Sequence, residues 1–540
     1  MAVKQKYLLR SVAIGLVALI VGFWAASAPA EPAKRAPGTV IKATGVATSV
    51  EVEERTEEAM EKDQAAFALM PRRPFNKPFL PTISREKYDA AKRAAELGTR
   101  GSRSGVSGPQ PLAPPFLTGP NFNGVSEVAS CGGGLCAPPD THGAVGLKNF
   151  VEITNSRISI YNKGGGFVKA FSLSGFFGVV EDVFDPRVVY DRTWNRFVIV
   201  ATRAPTSVVD PIRKFYLAVS QTSNPGGAWW KYTVFFSGDP GDFWDFPQLG
   251  MDQDAVIITG NIFDGAINFL GAAMMPVAKA RVYNGLGFSV PLFTGLAGTL
   301  APPIVLDQHD GTFLVAAEPA DSDLDLFIGE NLSQPAAASL TLQSSIAVTA
   351  YTSPPNALQP GTGAVLDTLD NRFQNASTQI GDSLWNVHTI NFVGFAAPRF
   401  YEINTSTNAI TQSGLFFATG TSDDFNPSIA ANDNNDAFVT WSATDTGVPP
   451  LQAQVRFSGR QSGDALGSMN SPGTAIFTSP TFYNDFTCGS PPCRWGDYSA
   501  VSIDPQVYPG CSAGDRAWIV NEKINTQSLW GTRIARIGFC

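Results

Sequence analysis

Acidic residues stand in a repeated setting along this 540-residue chain. The phrase "FDPRVVYD" occupies 184–191, "WDFPQLGMD" 244–252, "DFNPSIAAND" 424–433 and "WGDYSAVSID" 495–504. Each combines an acid, a Pro or Tyr, small and apolar residues, and a second acid. Paired carboxylates hydrolyse glycosidic bonds when they lie about 5–5.5 Å apart for retention or about 6.5–9.5 Å apart for inversion. Glu318, Glu522 and Asp497 are the candidates for that chemistry, and His388 is a candidate base. Asp185, Arg187, Arg203, Trp244, Asp245, Asp424, Arg494 and Trp495 are candidate ligand-binding residues, because Trp faces stack and Asp and Arg give polar recognition. The repetition also has an architectural reading. An Asp ahead of a strand caps a turn or accepts from a neighbouring unit's amides. A catalytic site needs one constellation rather than a copy in every unit, which favours architecture as the main role of the phrase.

The elements that would position these residues are short strands. From about residue 142 onward, strand-like runs alternate with turns. The phrase returns every 45–60 residues or so, a spacing within the range of propeller-like arrays. The clearest unit reads "PRVVYD", "RFVIVATR", "FYLAVSQT" and "WWKYTVFF". Four short antiparallel strands per repeat predict an all-β fold, a β-propeller of seven four-stranded blades, with six or eight as alternatives. The last unit stops after its third strand, which would leave an open edge. A segment within 112–130 is therefore expected to supply the missing outer strand. In a propeller the residues entering each first strand ring one mouth of the central channel, so the candidates above converge there.

Together "PPDTHGAVG" (138–146), "DPRVVYD" (185–191), "LAVSQTSNPGGAW" (217–229) and "WGDYSAVSIDP" (495–505) resemble a group of exported bacterial proteins with a sialidase-like propeller fold. The resemblance covers roughly 138–540. It implies the fold and carries no catalytic residue across. The Ser-x-Asp-x-Gly-x-Thr-Trp boxes usual in such propellers are absent, and no arginine triad can be assigned.

The chain starts with a basic stretch, "MAVKQKYLLR", an apolar run over 11–26, and Ala-x-Ala sites ending at Ala28 and Ala30. This matches a cleaved signal peptide over 1–30. Six cysteines in an exported chain predict disulfides, most economically Cys131–Cys136, Cys488–Cys493 and Cys511–Cys540. Residues 31–110 are charged, Ala-rich and Pro-rich, and read as a flexible, partly helical tether to a propeller over 111–540. The net charge of −8 and the lack of a basic stripe argue against nucleic acid as a partner. No later segment is apolar enough to span a membrane. The location expected is secreted, periplasmic or cell-surface.

No cofactor or metal is expected. The oxygen-rich stretches "DSDLDLF" (321–327) and "NDNND" (432–436) would suit calcium, with solvated turns as the preferred reading. The function expected is a binding module for an extracellular glycan or other polymer at the mouth. The alternatives are a carbohydrate-active hydrolase or lyase using the same mouth, and a protein-interaction scaffold. Exposed Trp244 and Trp495 would mark the glycan binder, and a close pair of perturbed carboxylates would mark the enzyme.

Overall fold

The computed structural model describes residues 32–67, 75–101, 103 and 110–540, apart from Ala204, Asn470 and Pro491. The expected signal peptide lies outside the described residues. The chain is all-β with a few short helices.

Before the repeats come three strands, Thr39–Ile41 (β1), Ala43–Ser49 (β2) and Val52–Arg55 (β3), and a helix, Glu57–Phe67 (α1). A two-residue strand, Phe75–Asn76 (β4), and a second helix, Arg85–Leu97 (α2), follow. Two further strands, Phe116–Ser126 (β5) and Cys136–Ala137 (β6), lead into the repeats.

Among the described residues, pairing beyond this point resolves into seven antiparallel meanders. Their first strands are His142–Val145, Val183–Asp191, Phe243–Met251, Thr299–Ala301 with Pro303–Val305, Ser377–Ile380, Asp423–Ala431 and Ala500–Ile503. In the seventh unit the third strand, Leu529–Gly538, pairs with β5, which supplies the fourth strand from the other end of the chain. Each first strand neighbours that of the next unit, and the seventh neighbours the first. The apolar cores follow the same order. One cluster joins units one and two through Phe176, Val188 and Tyr216, and another joins two and three through Phe215, Trp244 and Ile258. The last joins seven and one through Phe150, Trp518 and Val520. Each unit is therefore apolar on both faces, and each face is covered by its neighbour.

The first strands are kinked at their start. Asp185, Phe246 and Asn426 have φ of 51°, 50° and 51°, and the register of each strand shifts at that point. Each is followed by a proline that cannot donate to the ladder, so the strand bulges there.

Residues 31–110, read from the sequence as a tether, are packed onto this body along most of their described length. Strand β1 pairs with the outer strand of unit four. Strand β2 pairs on one side with the outer strand of unit two and on the other with that of unit three. Strand β3 extends the pairing to unit two. These edges would otherwise present unpaired amides and carbonyls. Met60 of α1 is buried in the core cluster of the first two units. Helix α2 is capped by Ser84, whose side chain accepts from the Lys87 amide, and it buries Tyr88, Lys92 and Ala95 on one face. The charged composition conceals these contacts because only every third or fourth helical residue is used.

Candidate functional site

The kinks bring a set of carboxylates to one end of the first strands. Asp185 accepts from the Phe246 amide at 3.0 Å, tying unit two to unit three. Asp140 accepts from the Asp497 amide at 2.7 Å, tying unit one to unit seven. In the phrase of unit two, Asp185 thus takes the architectural role, while Asp140, outside the four phrases, makes the like bond between units one and seven.

The same acids surround a cation. Lys77 follows β4, and its ammonium bonds Asp185, lies 3.3 Å from Asp245 and 3.9 Å from Asp497. All four side chains are buried. Burial opposes the charge on Lys77, but Asp185, Asp245, Asp497 and Asp140 more than offset it and raise its pKa. On the acid side, burial pushes the Asp245 carboxyl up to about 7 against the pull of Lys77. Burial likewise raises Asp497 against Arg494 and Lys77, and holds Asp140 and Glu522 well above the usual range. Arg494 donates to Asp497 at 2.6 Å and to Asp367 at 2.7 Å, while its Nε donates to the Lys77 carbonyl at 3.1 Å. Glu522 accepts from the Gly496 amide at 2.5 Å. Asp185 Oδ1, Asp497 Oδ2 and Glu522 Oε1 are buried without a hydrogen bond among the described residues.

Described residues between 80 and 103 make further contacts with the units. Arg372 donates to the Leu80 carbonyl at 3.0 Å. The Lys92 ammonium donates to the carbonyls of Pro354 and Leu369 and to Thr368. Burial lowers Lys92 to about 8 despite the pull of Asp367 and Asp370. Arg100 and Arg103 reach Asp423 and Asp424 of unit six.

The sequence candidates separate into those at this mouth and those elsewhere. Asp185, Asp245, Arg494, Asp497 and Glu522 come together. Arg187, in the first strand of unit two, is buried and bonds other units instead. Its guanidinium donates to Pro247, Asn375 and Gln374 and sits 3.3 Å from the Tyr498 ring centroid. Asp424 holds Arg103 and the Trp441 indole. Arg203 pairs with Asp210 within unit two.

Trp244 and Trp495, expected as stacking faces, are 1 % exposed and belong to the core. Trp244 packs on Phe215 and Trp495 on Phe425. Each indole joins an apolar cluster rather than facing the mouth. His388, expected as a base, is fully satisfied. Its Nδ1 lies 2.7 Å from the Asn371 carbonyl, which only accepts, so Nδ1 donates and Nε2 accepts from Tyr401 at 3.2 Å. Burial drives its pKa down to about 3. Glu318 stands apart beside Asp325 and Lys34. Burial raises it to about 7.

The calcium-suited stretches are occupied by cations of the chain. Lys34 lies 2.5 Å from Asp321 and 2.9 Å from Asp323, and Arg192 lies 2.5 Å from Asp433. The cysteines are bonded as 131–136, 488–493 and 511–540.

Sequence reasoning missed Lys77 and Asp140. Lys77 sits in "RPFNKPFLP", whose prolines resemble linker composition. Its one signal was a lone basic residue between two aromatic ones. Toward the other end of the first strands lies a cavity of about 110 Å³, lined by residues such as His142, Val188, Ile304, Ser377, Ala430 and Ser502.

Nothing matches this chain among protein-family models or curated proteins. Among solved structures, an apocarotenoid oxygenase of Synechocystis is similar with a TM-score of 0.34 and 9% identity, over 62% of this chain and 74% of that one. An exo-beta-1,3-galactanase from Phanerochaete chrysosporium is similar with a TM-score of 0.29 and 12% identity, over 60% and 80%. Likenesses this slight do not bear on the function of this chain.

Proposed function

We propose that this chain is an exported seven-bladed β-propeller whose acid-lined mouth binds an extended polymer. The blade count is supported by the seven meanders, by the circuit of first strands and by core clusters that join each unit to the next. The leader-like start and three disulfides support export. One observation carries the binding reading: carboxylates from four units converge on a single cation that the chain itself inserts. A buried acid cluster of this size is costly unless a cation fills it. The mouth is thus built to hold a positively charged occupant that enters from outside the units.

A polymer bearing ammonium groups meets that demand directly; a neutral glycan, the polymer expected from the sequence, would be bound through its hydroxyl groups without the two tryptophans. Carbohydrate hydrolysis is the second reading. It is favoured by Glu522, whose carboxyl burial pushes well above the usual range and which accepts from the amide of Gly496, the residue before Asp497.

The test is retention of the full chain on immobilised polysaccharides and polypeptides, with release of products scored alongside. Retention that falls in Asp245→Asn and Asp497→Asn, and persists in Asp433→Asn at the opposite end, supports the mouth. Retention indifferent to all three places binding elsewhere. Product release abolished by Glu522→Gln favours the hydrolase.

A further inference from the structure

The segment in the mouth is held in the manner of a bound peptide. Strand β4 pairs in parallel with β6. The Phe75 amide donates to the Leu135 carbonyl at 2.9 Å and the Lys77 amide to the Ala137 carbonyl at 3.0 Å. The Lys77 and Leu80 carbonyls accept from the side chains of Arg494 and Arg372. Backbone pairing of this kind gives affinity, and pockets for alternate side chains give selectivity.

Each side chain from 75 to 80 that points inward has a receptacle. The Phe75 ring lies 6.2 Å from that of Phe184. The Lys77 ammonium enters the carboxylate cage. The Phe79 ring is covered by the Arg372 guanidinium at 4.6 Å and by Tyr88 at 5.3 Å. Leu80 joins Phe243, Phe263 and Phe269. Pro78 and Pro81 keep the segment extended, because a residue before proline is driven out of the helical region.

The cage is also incompletely satisfied by its present occupant. Asp497 Oδ2 faces the Lys77 ammonium at 3.9 Å, beyond a hydrogen bond, and Asp185 Oδ1 has none. Both carboxylates are fully buried. The cage suits a compact ammonium with rotatable donors better than a planar guanidinium.

We infer that the ligand of this mouth is an extended polypeptide carrying a lysine two residues before an aromatic side chain, and that residues 75–80 occupy its place in cis. The inference rests on the mouth being the recognition site. Being tethered, the internal segment competes at high effective concentration, so a ligand in trans binds only when that segment is weakened or displaced.

The probe is a fluorescein-labelled peptide of residues 75–82, FNKPFLPT, titrated by fluorescence polarisation against the full chain. Wild type, Lys77→Ala and Phe79→Ala are compared, each checked for folding by circular dichroism. Phe79→Ala loosens the internal segment without leaving a buried charge unpaired, so it carries the test if Lys77→Ala does not fold. The expected result is binding about tenfold tighter to the loosened chains than to wild type, because the free mouth is populated more often. The same peptide with its lysine replaced by alanine should not bind. No binding by folded variants, or equal binding with the lysine replaced, overturns the inference. If a polysaccharide is retained at the mouth while FNKPFLPT is not bound, the peptide inference falls and the mouth reading stands. If neither is bound, both fall.

Discussion

Lys77 and Asp185 form an ion pair in which the lysine side chain is 5% exposed and the aspartate 0%. They lie 108 residues apart, one in a segment that resembles a linker and the other in the first strand of unit two. A lysine is rarely buried to this degree, and its ammonium must be paired when it is.

Removing that ammonium leaves several carboxylates facing one another. Lys77→Met should lower stability by about 3–5 kcal/mol near pH 8, as expected for breaking a buried pair. The loss should shrink toward pH 5, because Asp245, raised to about 7, and Asp497, also raised, then take up protons and no longer repel. Urea unfolding of both chains at the two pH values measures this. An equal loss at both would mean that the acids are not what the lysine neutralises.

A second pH effect lies where the chain closes. Glu152 of unit one accepts from the Val125 amide of β5 at 2.9 Å, from Tyr161 at 3.2 Å, and from Thr532 of the seventh unit. Burial raises its carboxyl to about 7, with these bonds opposing the shift. The folded carboxyl therefore binds a proton that the unfolded one, with a pKa near about 4.3, has already lost. Its contribution to stability is full below about pH 4 and falls as pH rises toward about 7. In Glu152→Gln the melting temperature should decline less across that window. A parallel decline in both chains would contradict this assignment.

The closing unit is also stapled covalently. Cys511 and Cys540 are 29 residues apart, while the other two pairs are separated by 5. Loop-closure entropy gives about 3.5 kcal/mol for the longer loop and about 2 kcal/mol for a shorter one. Replacing both Cys511 and Cys540 with Ser should therefore cost more than the same change at Cys488 and Cys493. Denaturant midpoints of the two double variants decide the order.

The two tryptophans chosen from the sequence as stacking faces should behave as core. Trp244→Ala or Trp495→Ala should lower stability by about 3–5 kcal/mol. Whatever polymer the mouth retains should still be retained by the folded fraction. Loss of retention with unchanged melting would show that the indoles meet the ligand.

The repeating strands were legible because their signal is local: "RFVIVATR" and "FYLAVSQT" carry strand composition and turn flanks wherever they fall. The outer strand of the last unit was legible by deficit, since "WGTRIARIG" had no following partner and β5 lies in the expected stretch. Exposure was not legible. The phrase that sets Asp245 in the mouth sets Trp244, one residue earlier, into the core, because successive strand residues face opposite ways. Nor was the docking of the described residues between 39 and 103. Contacts such as Lys77 with Asp497 or Lys92 with Leu369 span hundreds of residues and leave no periodicity behind.

Native-state hydrogen exchange tests most directly whether the mouth is a site with a separable occupant. The amides of Phe75 and Lys77, bonded to Leu135 and Ala137, report the internal segment, and those of 516–526 report the body. If residues 75–80 occupy a binding site, their amides should open with a free energy well below that of the body, and Lys77→Met should lower it further while leaving 516–526 ahead. Exchange of Phe75 and Lys77 only through global unfolding, at the same free energy as 516–526, would make the segment an integral part of the core and contradict the account.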